Sequence, residues 1–121
     1  MAKMDKPDPD TTRIFDALAV GLDGERRKMF GCPCLFVNGN MVAGVYGTIV
    51  FFRVPPADQP AWKSAHPELL PFAPMSGTPM KEYLSVVVAA VAPLWLAEAL
   101  EIARDYGLTL PAKTPKVKKS S

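Results

Sequence analysis

Residues 34–54, CLFVNGNMVAGVYGTIVFFRV, constrain the fold more than any other stretch of the chain. Asn38-Gly39 stands between two apolar runs. A two-residue type I′ turn needs positive φ at both central positions, which Asn and Gly tolerate best, so this pair predicts a hairpin. Gly47-Thr48 interrupts the apolar residues a second time. The segment therefore predicts an antiparallel meander, with strands near 25–30, 33–38, 40–46 and 48–54.

Helical spacing flanks the meander. Asp10 is the expected cap of a first helix, and Ile14, Phe15, Leu18, Ala19 and Leu22 supply its apolar stripe. Gly21 and Gly24 end it. Pro55-Pro56 stops the fourth strand, and a short helix is expected over 60–64, since proline is tolerated in a first turn. Residues 67–80 hold four prolines and one glycine, which predicts a loop or a short extended edge segment. Residues 83–88 read as one more strand. Pro93 opens a last helix, with Leu96, Ala99, Leu100 and Ala103 on one face, widened by Trp95, Ile102 and Tyr106, and Gly107 as its expected end. The order α-β-β-β-β-α-β-α predicts an α+β, two-layer domain in which an antiparallel β-meander sheet packs against N- and C-terminal helices.

The expected organisation is a flexible leader over 1–11, one domain over 12–110, and a disordered basic tail over 111–121. The 121 residues carry a net charge of +2, but its distribution matters more than its sum. Residues 1–10 hold two lysines and three aspartates, and the tail holds Lys113, Lys116, Lys118 and Lys119. The body between them is then slightly acidic. A domain built to grip phosphates needs a basic excess, so nucleic acid is expected as a partner only weakly, through the tail. The longest apolar run, 86–100, is shorter than the about 18 residues a membrane span needs and is broken by Pro93, so no membrane partner is expected. The charged, proline-rich start lacks the apolar region of a secretory signal, and the expected location is the cytoplasm.

Few residues offer chemistry. His66 is the single histidine and precedes Pro67 in a polar segment, the usual setting of a surface residue. Glu98, Glu101 and Asp105 share one helical face, expected to be the solvated one. Arg26, Arg27 and Lys28 alternate in direction along a strand and so form no single patch. No phosphate-cradling glycine loop or HExxH pattern occurs. Cys32 and Cys34, separated by Pro33, are the remaining candidates. In an extended strand they point to one face with sulfurs roughly 6–7 Å apart. A disulfide requires Cβ atoms within about 4.5 Å, and a tetrahedral zinc site about four ligands. Two reduced thiols packed at a strand start are expected, with a thiol-redox or metal-binding role as the alternative.

"RKMFGCPCLFVNGNMVAGV" followed by "PFAPMSGTPMKEYLSVV" resembles the N-terminal domain family of TfoX, the competence regulator. The matching features are Met29-Phe30-Gly31, Asn38-Gly39, Pro71-Phe72 and Met80-Lys81-x-Tyr83, spread over residues 12–106. Cys32, Pro33 and Cys34 stand where glycines are usual in the family, and only a short tail follows Gly107 in place of a second domain. The resemblance implies an α+β fold related to secretion-chaperone-like domains, with no catalytic residue and no cofactor.

The function expected on these grounds is a non-catalytic protein-interaction or regulatory module. Two surfaces are candidates for a protein partner. IVFFRV is apolar on both faces, with Ile49 and Phe51 on one and Val50, Phe52 and Val54 on the other, so the face the helices leave is covered by a second copy or by a loop, and a homodimer through the sheet is expected. Methionine adapts to partners, and Met29, Phe30, Phe72, Met75, Met80 and Tyr83 would converge if residues 71–83 fold back along the meander, with Lys81 as a charged rim.

Overall fold

Helix α1 (Pro9–Ala19) begins two residues earlier than expected because Asp8, not Asp10, caps it. The Asp8 carboxylate accepts from the Thr11 backbone N–H and from Thr11 Oγ1, each at 3.0 Å. Pro9 then occupies the first turn, where its missing N–H costs nothing. These donors hold the Asp8 carboxyl below the usual carboxylate range. Asp10 lies in the first turn and pairs with Arg13 instead. The ordered body thus starts inside what the sequence assigns to a leader. In this computed structural model the described residues are 6–22, 24–29, 31–73 and 80–111.

Six strands follow the period-2 pattern: β1 (Glu25–Met29), β2 (Cys32–Val37), β3 (Asn40–Tyr46), β4 (Ile49–Arg53), β5 (Leu70–Pro71) and β6 (Tyr83–Val87). They form one antiparallel sheet in the order β1-β2-β3-β4-β6-β5. Asn38 and Gly39 take φ of 53° and 78°, the positive pair that the β2–β3 turn demands. The register slips within that hairpin. Leu35 faces Ala43 while Phe36 faces Met41, leaving Val42 as the extra residue of a bulge. β5 is the edge segment foreseen between the prolines. It is held by the Ser85 hydroxyl, which donates to the carbonyls of Leu70 and Pro71.

Helices α2 (Gln59–Ala65) and α3 (Pro93–Thr109) join α1 on one face of the sheet. Leu96, Ala99, Leu100 and Ala103 of α3 are buried as the spacing required, against Val42, Val45, Val50 and Phe52 from the strands. Gly107 is not the end of α3, which continues to Thr109. A Cβ on Gly107 would lie 2.5 Å from Cγ1 of Val42. The bulge pushes Val42 toward the helix, and only a residue without a side chain lets α3 lie down on it.

The opposite face holds a second, aromatic cluster of Cys34, Phe36, Phe51, Phe72 and Tyr83. Phe51 is only 3% exposed, because Phe72 stacks on it with centroids 4.1 Å apart and planes 12° apart. This corrects the expectation of a bare aromatic face at Phe51. The chain covers that ring with its own Phe72, so Phe51 is not bare for a second copy to cover. Ile49 stays half-buried at the margin.

Candidate functional site

The helix-free face of the sheet collects four of the sequence's candidate partner residues, Ile49, Phe51, Phe72 and Tyr83. β4 turns Phe51 to this face, β6 brings Tyr83 beside it, and the chain leaving β5 lays Phe72 over both. Met41, Tyr46 and Ile49 pack half-buried around them. A cleft of about 240 Å³ opens beside Phe72, between Tyr46, Ile49 and Leu70. Met80, 37% exposed, donates its backbone N–H to the Phe72 carbonyl, and Lys81 beside it is exposed. Arg27 spreads its guanidinium over Phe36, 4.6 Å from the ring centroid. Arg26, the next residue back, turns to the helical side and pairs with Asp16, so the basic cluster divides between the faces as alternation requires.

Met29 does not join this group directly. Its backbone pairs with Cys32 on β1, the sheet edge opposite β5 and β6, and three strands separate it from Tyr83. At ordinary strand spacing that is roughly 19 Å. Phe30 and Met75 lie outside the described residues, as do the tail lysines. Of the anticipated groove residues, Phe72 and Tyr83 share the aromatic cluster, Met80 reaches it through its backbone bond to the Phe72 carbonyl, and Ile49 of the other candidate surface packs there with Met41 and Tyr46, two residues that the sequence did not assign to a partner face. Met41 and Tyr46 are five residues apart, which period-2 alternation assigns to opposite faces, and only the bulge at Val42 brings both to this one.

Tyr83 anchors this face. Its hydroxyl donates to the Met41 carbonyl at 2.7 Å, tying β6 to β3 across β4. Burial pushes its pKa up to about 12 from 10.0, with Arg53, 5.5 Å from the ring, acting in the opposite direction. The neutral phenol is thus the form that the folded state favours. Its contribution is fully present below pH 10 and is lost as pH rises from 10 toward 12. At pH 8, Tyr83→Phe is expected to lower stability by about 1 kcal/mol, the worth of one such hydrogen bond. Urea titrations at pH 8 and pH 11 check this. The gap between wild type and variant should narrow or reverse at the higher pH, by an amount on the order of 1–2 kcal/mol. A gap independent of pH would contradict the assigned burial.

The other candidate groups are committed inside the fold. Cys32 and Cys34 are 2% and 1% exposed and stand as thiols, with Cys34 Sγ directed at the Cys32 carbonyl at 3.5 Å. No group of three or more His, Cys, Asp or Glu side chains able to hold a metal occurs among the described residues. His66 is not the surface residue its context implied. It caps the C-terminus of α2, half-buried, and its Nε2 accepts from the Trp95 indole N–H at 3.0 Å. Trp95 is far away in sequence, which hid the partnership. Glu101 and Asp105 lie on the exposed side of α3 as expected and flank Arg104.

Among the described residues no helix is long and apolar enough to cross a membrane. No curated protein and no solved structure matches the chain. The family model of the TfoX N-terminal domain matches residues 18–101, a span that begins near the end of α1, takes in the whole sheet and reaches the middle of α3. The bulged hairpin, the Phe72 return and the Tyr83 strand all fall within it, and on that match the chain belongs to the TfoX N-terminal domain family.

Proposed function

We propose that this chain is a non-catalytic, cytoplasmic interaction module that regulates a protein partner by docking it on the helix-free face of its sheet. The observation that carries the reading is the aromatic cluster there, covered on its own side by a single return of chain and ringed by half-exposed Met41, Tyr46, Ile49 and Met80. Soluble domains keep such apolar area small unless something binds it. Arg27 and Lys81 stand at its margins, so the matching partner is an apolar segment with acidic flanks. The absence of a reaction is inferred from how the reactive groups are used. The thiols are buried, the Tyr83 and Ser85 hydroxyls donate to backbone carbonyls, and His66 accepts from an indole. The thiol-redox alternative has no accessible sulfur to work with.

Affinity capture from the native cell, run in parallel with wild type and Ile49→Glu/Met80→Glu, tests the proposal. Both positions are at the margin of the cluster, so the variant should melt within about 5 °C of wild type. A partner recovered with wild type and lost with the double variant is the expected result. A partner retained undiminished by the variant would place the interaction elsewhere.

A further inference from the structure

On the helical side of the molecule, α2 and α3 leave a cleft of about 370 Å³ between them. Its walls are the chain's two tryptophans, Trp62 from α2 and Trp95 from α3, with ring centroids 6.3 Å apart and planes inclined by 70°. Two indole planes at that angle make a corner. Phe52 packs beneath both rings, with centroids 5.7 and 6.1 Å away, and holds the corner against the core. Ala61 and Ala65 on α2 and Ala99 on α3 are too small to fill the space between.

The polar groups of this cleft are the Trp95 indole, His66 and Glu98. The Trp95 indole N–H, which would otherwise be a donor, is spent on His66 Nε2. Accepting there leaves the His66 proton on Nδ1, which faces Glu68 Oε2 at 3.8 Å. Among the described residues no Lys or Arg lines the cleft, whereas Glu98 does. Glu98 is thus the one acid of the α3 row that lines this cleft, whereas Glu101 and Asp105 flank Arg104. An anion entering here meets the negative charge of Glu98 and a single donor, the His66 Nδ1–H that faces Glu68. A primary ammonium brings three N–H donors, and the cleft offers one carboxylate as acceptor, since His66 Nε2 is already taken by the Trp95 indole. A quaternary ammonium has no donors to satisfy and is weakly hydrated, and it is attracted both by the indole faces and by the carboxylate.

We propose that the Trp62–Trp95–Glu98 cleft is a binding site for a quaternary ammonium group. The volume accommodates a trimethylammonium head with a short carbon arm, as carried by choline or by a trimethylated lysine side chain. This site is on the opposite side of the sheet from the partner face and does not depend on it.

Because the chain's two tryptophans both line the cleft, intrinsic fluorescence reads occupancy without a label. The full chain is titrated with choline, with a trimethyllysine peptide, and with 3,3-dimethylbutan-1-ol, the neutral isostere of choline, all at constant ionic strength. At least one cation should bind at millimolar concentration or tighter, and at least about tenfold more tightly than the isostere, the size of one to two cation–π contacts. Choline binding points to a free small cation, and peptide binding alone to a methylated side chain; either supports the site. Trp62→Leu should reduce binding about tenfold. Since that variant removes a partly buried ring, Glu98→Gln and Ile102→Arg are tested with it. Both positions are exposed, and the second sets a permanent cation at the mouth of the cleft. Each should weaken binding several-fold with the melting temperature kept, while Ile49→Glu/Met80→Glu leaves it unchanged. Equal response to cation and isostere, no response to either cation, or binding indifferent to Glu98→Gln and Ile102→Arg would overturn the proposal.

Discussion

Replacing Phe52 with alanine is expected to remove about 3–5 kcal/mol of unfolding free energy. Phe52 is 0% exposed on β4, at the centre of the sheet, between Ala43 of β3 and Leu84 of β6. Trp62 and Trp95 lie against its ring, so truncation opens a void on three sides and neither indole can fill it without leaving its own contacts. The loss is large beside the about 5–15 kcal/mol that holds a domain of this size. In urea the midpoint should fall sharply with the slope unchanged. Phe52→Leu, which keeps most of the volume, should cost well under half as much. Similar costs for the two, or an alanine cost below about 1.5 kcal/mol, would show that the ring is not packed as described.

Gly44→Val is expected to cost about 2–4 kcal/mol, although valine is the better strand former by as much as about 1 kcal/mol. A Cβ at position 44 would lie 2.5 Å from Cζ of Phe51 and 2.9 Å from Sγ of Cys34. The Phe51 ring cannot tilt away without breaking its stack on Phe72, and β3 is hydrogen-bonded on both sides. Overpacking therefore outweighs propensity. The partner substitution Phe51→Leu should relieve part of the cost, giving a double-mutant coupling of about 1 kcal/mol or more by chemical denaturation. Strict additivity of the two changes would mean that Gly44 and Phe51 do not meet.

Features of the molecule that depend on neighbours in sequence were legible before the fold was known. Asn38-Gly39 sets its turn by the φ values of two adjacent residues, and Leu96, Ala99, Leu100 and Ala103 are buried by a period inherent to the helix. Misreadings arose where the reason for a residue lies across the structure. Gly107 resembles a helix terminator until the bulge at Val42 is seen beneath it. His66 resembles a surface residue until α3 brings Trp95 to its ring. Even the first cap follows this rule at short range, since Pro9 decides between Asp8 and Asp10. The candidate partner face was half legible. Phe72 and Tyr83 meet because β5 and β6 are neighbours, but strand order alone separates Met29 from them, and strand order is not written in any local pattern.

The order β1-β2-β3-β4-β6-β5 also sets a sequence of events in folding. β1 to β4 join through short turns, so each new strand closes only a small loop on the one before. β6 docks on β4 only after residues 54–82 have been gathered, and the entropy of that larger closure must be met before any of its contacts form. Loop closure therefore favours the meander as the nucleus, with the β5–β6 ribbon joining it across the longer closure. Its arrival brings Tyr83 and Phe72 to Phe51. The cover of the aromatic face, Phe72, is thus supplied by a segment that joins the sheet across its longest closure, while Phe51 beneath it belongs to the meander itself.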